Sequence, residues 1–198
     1  DGTFTYNVPV REGYTWSDGS PITANDWEFT FDTVKSLSLG GNFLSSYPYS
    51  CEDEEGTAKN CVVSVVASDD YTVSITFNYD PGLSTWQYGT AQGIAFSKAY
   101  WEQYATDKET LYAHDATNAP VASAFVYDKL EQGAFYTWAY NANTMWAPGP
   151  EYTIYDSGGT GIKWDNGKAP AVDQTFGDVS GESFSYSSGP FVGTVEFT

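Results

Sequence analysis

From Phe4 to Val10 apolar and polar positions alternate, with Phe4, Tyr6, Val8 and Val10 set against Thr5, Asn7 and Pro9, a period of two that predicts a half-buried strand. Ser17-Asp18-Gly19 then supplies turn chemistry, because Asp can bond its own backbone and Gly accepts a positive φ. Pro21 sets an extended entry, and Thr23 with Asp26 three residues on predicts a helix start of the capping-box kind, with Asp in place of the longer Glu. Trp27, Phe31 and Val34 follow at i, i+4 and i+7, one apolar stripe on a helix of about three to four turns. Trp16, Trp27, Phe29 and Phe31 are expected in the core.

Gly40-Gly41-Asn42 predicts the end of that helix, and Phe43 to Tyr49 reads as an irregular aromatic stretch. Val62–Ala67 and Tyr71–Phe77 are strand-like runs joined by Ser68-Asp69-Asp70, which predicts a hairpin. Asp80-Pro81-Gly82 breaks the chain, and Ser97 to Tyr104 predicts a short helix capped by Ser97. Asp115 to Pro120 is loop-like and marks a candidate boundary. Beyond it, Ala124–Leu130 and Ala134–Asn141 predict a second hairpin across Glu131-Gln132-Gly133. Residues 148–190, rich in Gly, Ser and Asp, read as a long irregular insertion rather than a regular element.

The run from Arg11 to Asp26, REGYTWSDGSPITAND, resembles the signature near the start of the extracellular solute-binding proteins of family 5, which serve peptide and nickel ABC transporters. Weaker blocks follow in the family's order: Val65 to Val73, Lys98 to Glu102, Pro120 to Phe125, Gly133 to Trp146, and the closing Val195-Glu196-Phe197. Ala122-Ser123-Ala124-Phe125 departs from the family's Gly- and Pro-containing version, so the crossing between lobes is expected to differ in geometry. The resemblance implies an α/β fold of the periplasmic-binding-protein-like class II, two lobes closing by a hinge, with an α+β subdomain and only the N-terminal part present. Residues 1–118 would be the extra subdomain beside the first lobe, and residues 119–198 the start of that lobe with the insertion at 148–190. An export signal would lie upstream, and the second lobe would be absent.

Charge changes the picture: 26 acidic against 8 basic residues give a net charge of −18. That disfavours nucleic acid and anionic lipid surfaces, which the chain would repel. It reads best as solubility in a demanding external medium, ahead of attraction for cationic ligands or calcium. Glu52-Asp53-Glu54-Glu55 lacks the register of a calcium loop and reads as a solvated tip. No run of apolar residues is long enough for a membrane span, so no direct membrane insertion is expected of this segment. The 2 cysteines, Cys51 and Cys61, flank an acidic, Gly-containing segment. A disulfide between them is expected in preference to free thiols, and with it an extracellular or cell-surface location, periplasmic in a host with an outer membrane.

Catalytic chemistry finds no foothold. The chain's 1 histidine, His114, has no glycine-framed nucleophile and reads as a surface residue. Gly158-Gly159-Thr160-Gly161 lacks the lysine of a phosphate loop. The expectation is a non-enzymatic binder with no cofactor, no metal and no catalytic residues. The 7 Trp, 16 Tyr and 12 Phe are the remaining candidates for function. By position relative to the family's cleft, Tyr47 and Tyr49 in Ser45–Tyr49, with Trp86 and Tyr88 in Trp86–Gly93, are the ligand-binding candidates, each offering a flat apolar face. The implied function is capture of an extracellular solute, an oligopeptide by association, for a membrane ABC permease. Two other classes fit composition: a cell-surface structural or adhesive module reusing this subdomain, and a carbohydrate-binding module with a row of exposed aromatics.

Overall fold

The computed structural model describes residues 2–90, 93–143, 151–156, 161–165, 174–176, 182–187 and 192–198. The chain divides into two compact units, one of residues 1–12 and 23–115, the other of residues 13–22 and 116–198. Residues 13–22, which the sequence reading assigned to the first region, group with the second unit.

In the first unit, strand β1 (Phe4–Pro9) pairs antiparallel with β3 (Thr72–Phe77), which pairs antiparallel with β2 (Val62–Asp69), giving the order β1-β3-β2. The β2–β3 hairpin follows the predicted runs, and Asp69 closes it by accepting the Tyr71 N–H at 2.8 Å. Strand β3 alternates cleanly: Val73, Ile75 and Phe77 are buried, while Ser74 and Thr76 join a polar ladder with Asn7 and Thr5 on the other face. The alternation in β1 buries less than expected, since Phe4 and Tyr6 lie 41% and 37% exposed, although the Tyr6 ring meets Phe77 edge-on at 6.0 Å and Val8, with Val10 just past the strand, packs on the core.

Helix α1 (Ala24–Ser36) lies against β2 and β3. Its start is a capping box, with the Asp26 carboxylate accepting the Thr23 N–H at 2.9 Å. Phe31 and Val34 are fully buried, and Trp27 packs half-buried on the core; Phe29 is half-buried and stands outside both apolar clusters. Residues 43–49, read as irregular, instead begin with a short helix α2 (Asn42–Ser46), entered through Gly41 at φ +63°. Glycine tolerates that backbone without a side-chain clash. The break at Asp80-Pro81-Gly82 is also a beginning, since α3 (Gly82–Tyr88) starts there.

Ser97 occupies the N-cap position of α4 (Lys98–Trp101) but makes no capping bond, and its buried Oγ has no hydrogen-bond partner among the described residues. Asp26 performs that service from α1, accepting the Lys98 N–H at 2.8 Å. Helix α5 (Lys108–Ala113) is capped by Asp107, which accepts from Thr110 N at 2.8 Å. Leu111 packs with Val34 and Leu39 in a second, smaller cluster.

In the second unit the predicted hairpin forms as β4 (Phe125–Glu131) and β5 (Phe135–Tyr140), with β10 (Thr194–Phe197) added to the far side of β5. The reading of residues 148–190 as irregular is corrected. They contain β6 (Glu151–Asp156), β7 (Gly161–Asp165), β8 (Gln174–Phe176) and β9 (Glu182–Ser187), one antiparallel sheet in the order β8-β7-β6-β9. The register explains it: Tyr152 pairs with Trp164 and Tyr186, and Ile154 with Ile162 and Phe184, so apolar positions fall in rows across strands of three to six residues. Such short runs are outvoted by the Gly, Ser and Asp between them.

The corner written in WSDGSP is built as read. Asp18 accepts from Ser20 N at 2.9 Å, Gly19 sits at φ +87°, and Thr15 pairs with Pro21. Ser17 reaches across more than a hundred residues, its N–H donating to Val121 O at 2.9 Å and its Oγ accepting from Val121 N at 3.1 Å. Asn143 Nδ2 donates to Ser17 O at 2.9 Å.

Candidate functional site

Helix α2 delivers the chain into Tyr47, whose N–H closes the last turn on Phe43 O at 2.7 Å. The Tyr47 side chain is fully buried, edge-on to Phe31 with ring centroids 6.0 Å apart, and belongs to the main core with Val65, Ile75 and Phe77. Gly93 abuts its hydroxyl so closely that a Cβ there would clash with Oη. Among the described residues the hydroxyl has no hydrogen-bond partner, and burial pushes the phenol well above its usual range. A neutral ring inside a core can shape a binding surface from behind.

Tyr49 is half-buried, packs against both apolar clusters and donates its hydroxyl to Leu39 O at 3.3 Å. Trp86, on α3, is half-buried and lies 5.5 Å from Tyr6 and 6.4 Å from Phe77 between ring centroids. Tyr88 is the last residue of α3, and its side chain lies outside the described residues. Tyr47, Tyr49 and Trp86 thus gather around one core in the first unit.

The strap that carries Tyr47 and Tyr49 ends in the disulfide. Cys51 and Cys61 are bonded, with Cα atoms 5.0 Å apart. The loop between them closes on itself: Asp53 Oδ1 accepts from Glu55 N at 3.1 Å and Thr57 N at 2.7 Å, and Glu52 pairs with Ala58. Its exit is held by Asn78, which accepts from Cys61 N at 2.8 Å and donates to Lys59 O at 2.9 Å. Val62 N then donates to Pro48 O at 2.8 Å, so the strap from Tyr47 to Cys51 is fastened to the first residue of β2. The acidic tip is stitched by its own backbone, which accounts for Asp53.

Sequence reasoning missed an aromatic group around His114. The imidazole is half-buried, stacks on Tyr104 with centroids 3.5 Å apart at 15°, and its Nε2 lies 2.9 Å from Tyr100 Oη. Trp101 meets it edge-on at 5.5 Å. Burial, then the nearby Tyr104 and Asp115, raise the Tyr100 phenol above its usual range. The available signal was Tyr100, Trp101 and Tyr104 within one helical turn; nothing local announced that α5 would bring His114 back over them.

Among the described residues no cluster of three or more His, Cys, Asp or Glu is placed to hold a metal ion. No helix among them is long and apolar enough to cross a membrane.

The chain matches the model of the bacterial extracellular solute-binding proteins, family 5 Middle, over residues 1–174. The dipeptide-binding protein DppE of Bacillus subtilis (strain 168) is 32% identical over 75 residues, which are 36% of this chain and 14% of DppE. In fold, the oligopeptide-binding protein AppA of Bacillus subtilis, solved with a nonapeptide, superposes with a TM-score of 0.54 at 20% identity, covering 72% of this chain and 26% of AppA. A periplasmic oligopeptide-binding protein of Thermotoga maritima, solved with mannohexaose bound, gives 0.50 at 21% identity over 70% of this chain and 23% of that one. The chain spans about a quarter or less of the length of these relatives. The superpositions give the fold as periplasmic-binding-protein-like, of the α/β class, of which this chain carries a part.

Proposed function

The chain belongs to the bacterial extracellular solute-binding proteins of family 5, and from that membership we propose that it is part of a receptor that captures a solute outside the cell and hands it to an ABC-type importer. The match over residues 1–174 carries this reading. The solute class is an oligopeptide, by analogy with DppE and with AppA in its nonapeptide complex. The action is binding without turnover, in an extracellular setting with which the Cys51–Cys61 disulfide agrees. Residues 1–118, less the 13–22 corner that groups with the second unit, act as the extra subdomain, and residues 119–198 open the first lobe.

Within that scheme Tyr49, Trp86 and Tyr88 are the aromatic groups nearest the solute, and Tyr47 supports them from the core. A receptor for varied peptides gains by presenting flat apolar faces, since ring contacts do not depend on side-chain identity. The disulfide holds the strap that carries Tyr47 and Tyr49 against β2.

Native mass spectrometry of the full-length protein purified from its host tests the proposal. A co-purifying short peptide, released on denaturation and absent from a Trp86→Ala variant that still folds, is the expected result. A co-purifying oligosaccharide would reject the peptide and keep the receptor. Hydrolysis of added peptides by a homogeneous sample would reject both.

A further inference from the structure

Beside α5 the first unit carries an open depression of about 430 Å³ lined by Tyr104, Glu109, Thr110, Ala113 and His114. One wall is the Tyr104–His114 stack. Glu109 and Ala113 sit one helical turn apart, and the small Ala113 leaves room beside the carboxylate.

The polar groups of this depression are unevenly committed. The Thr110 hydroxyl donates to Asp107 Oδ2 at 2.8 Å, and Asp107 also takes Thr110 N and the Thr106 hydroxyl, so the cap is internally satisfied. Nε2 of His114 is engaged by Tyr100 Oη. Lys108, the cation of the same helix, reaches instead to Ser38 O at 3.3 Å. No lysine or arginine is among the lining residues. What the depression offers a ligand is an acceptor, the Glu109 carboxylate, beside an electron-rich aromatic wall. Rings attract cations through the negative faces of their π-systems, and a carboxylate adds a charge-assisted bond to any N–H donor. A net charge of −18 adds a long-range field of the same sign.

We propose that this depression binds an alkylguanidinium or alkylammonium group, the charged end of an arginine or lysine side chain or of a polyamine, held between the Glu109 carboxylate and the Tyr104–His114 wall. Glu109 supplies the salt bridge and Tyr104 the cation–π contact. Ala113 sets the depth.

The test is an NMR titration of the full chain at constant ionic strength, following the ring signals of Tyr104 and His114. Argininamide is the probe and the neutral citrullinamide its control. Saturable shifts with argininamide in the millimolar range, absent with citrullinamide, are expected. Glu109→Gln should weaken binding about two- to fivefold, the scale of one exposed ion pair. Ala113→Phe, at an exposed position, should fill the depression and abolish binding with an unchanged circular dichroism spectrum. An arginine-containing peptide and spermidine, compared in the same titration, separate the two sources by which saturates the shifts first. Shifts that never saturate, that citrullinamide reproduces, or that Glu109→Gln leaves untouched would overturn the proposal. So would equal shifts at Glu52–Glu55, which would reduce the effect to general attraction by an acidic surface.

Discussion

Two buried polar side chains pull in opposite directions at the residue scale. Asp26 is 4% exposed and spends both carboxylate oxygens on backbone donors, Thr23 N and Lys98 N, while its own carbonyl accepts from Thr30 Oγ1 at 2.6 Å. Removing the carboxylate strands two donors, so Asp26→Ala should destabilise the chain by about 2–4 kcal/mol, read from urea midpoints. Tyr47 is the converse, a buried hydroxyl without a partner among the described residues. Tyr47→Phe should therefore stabilise, by about 1 kcal/mol, and leave solute affinity in the full-length protein unchanged. Lost affinity would show instead that the hydroxyl reaches the ligand. Asp107 adds a pH dependence, because its bonds from Thr110 hold its carboxyl below the usual carboxylate range. A depressed folded-state pKa means the cap's contribution is intact above the ordinary carboxylate value and fades as pH falls through the lower, folded one. The protection factor at Thr110 N, with the intrinsic pH dependence of amide exchange divided out, should fall only in that acid window, and lost protection near neutrality would contradict the cap.

Elements whose local signals agreed with their surroundings were readable in the sequence, whereas elements made by distant partners were not. The Thr23–Asp26 box, the β2–β3 hairpin and the β4–β5 hairpin each carry turn or cap residues beside a clean period, and all formed where the pattern put them. The sheet of β6 to β9 escaped because its strands are short and its glycines dominate the window. The burial of Tyr47 was equally illegible, since it depends on Phe31 from α1 and on Gly93 meeting the ring from elsewhere in the chain. That late sheet has a telling place in the topology. It enters between β5 and β10, which are hydrogen-bonded neighbours, with Ala139 opposite Thr194, so it stands where a hairpin loop would. Replacing residues 144–191 with a short Gly/Ser linker should preserve the pairing, seen as cross-strand NOEs between Trp138 and Val195. Their loss would mean that the insertion holds β10 in place. The disulfide acts on another element, the strap before β2. Closing a loop of that length is worth about 2.5–3 kcal/mol in the chain-entropy model, so the double variant Cys51→Ser/Cys61→Ser should melt lower while keeping its fold.

At the scale of the whole molecule, the corner that resembles the family's opening motif is also the segment that changes unit. Residues 13–22 leave the first unit after Glu12, group with the second, and return at Thr23 to start α1. Trp16 and Ile22 are buried at 6% and 8% exposure, and the backbone of Ser17 is bonded to Val121 and Asn143. A cut after Asp115 would therefore not release a tidy domain, because it orphans this corner and leaves Trp16 without the residues that group with it. Acrylamide quenching compares the 1–115 fragment with the full chain, each with a Trp16→Phe control to subtract the other indoles. Trp16 should be shielded in the full chain and open to quencher in the fragment, although α1 and the β1-β3-β2 sheet keep their circular dichroism. Equal shielding in both would mean that the corner is held by its own turn alone. The bonds from Ser17 to Val121 and Asn143 would then be incidental to the fold rather than the reason the WSDG turn sits where it does.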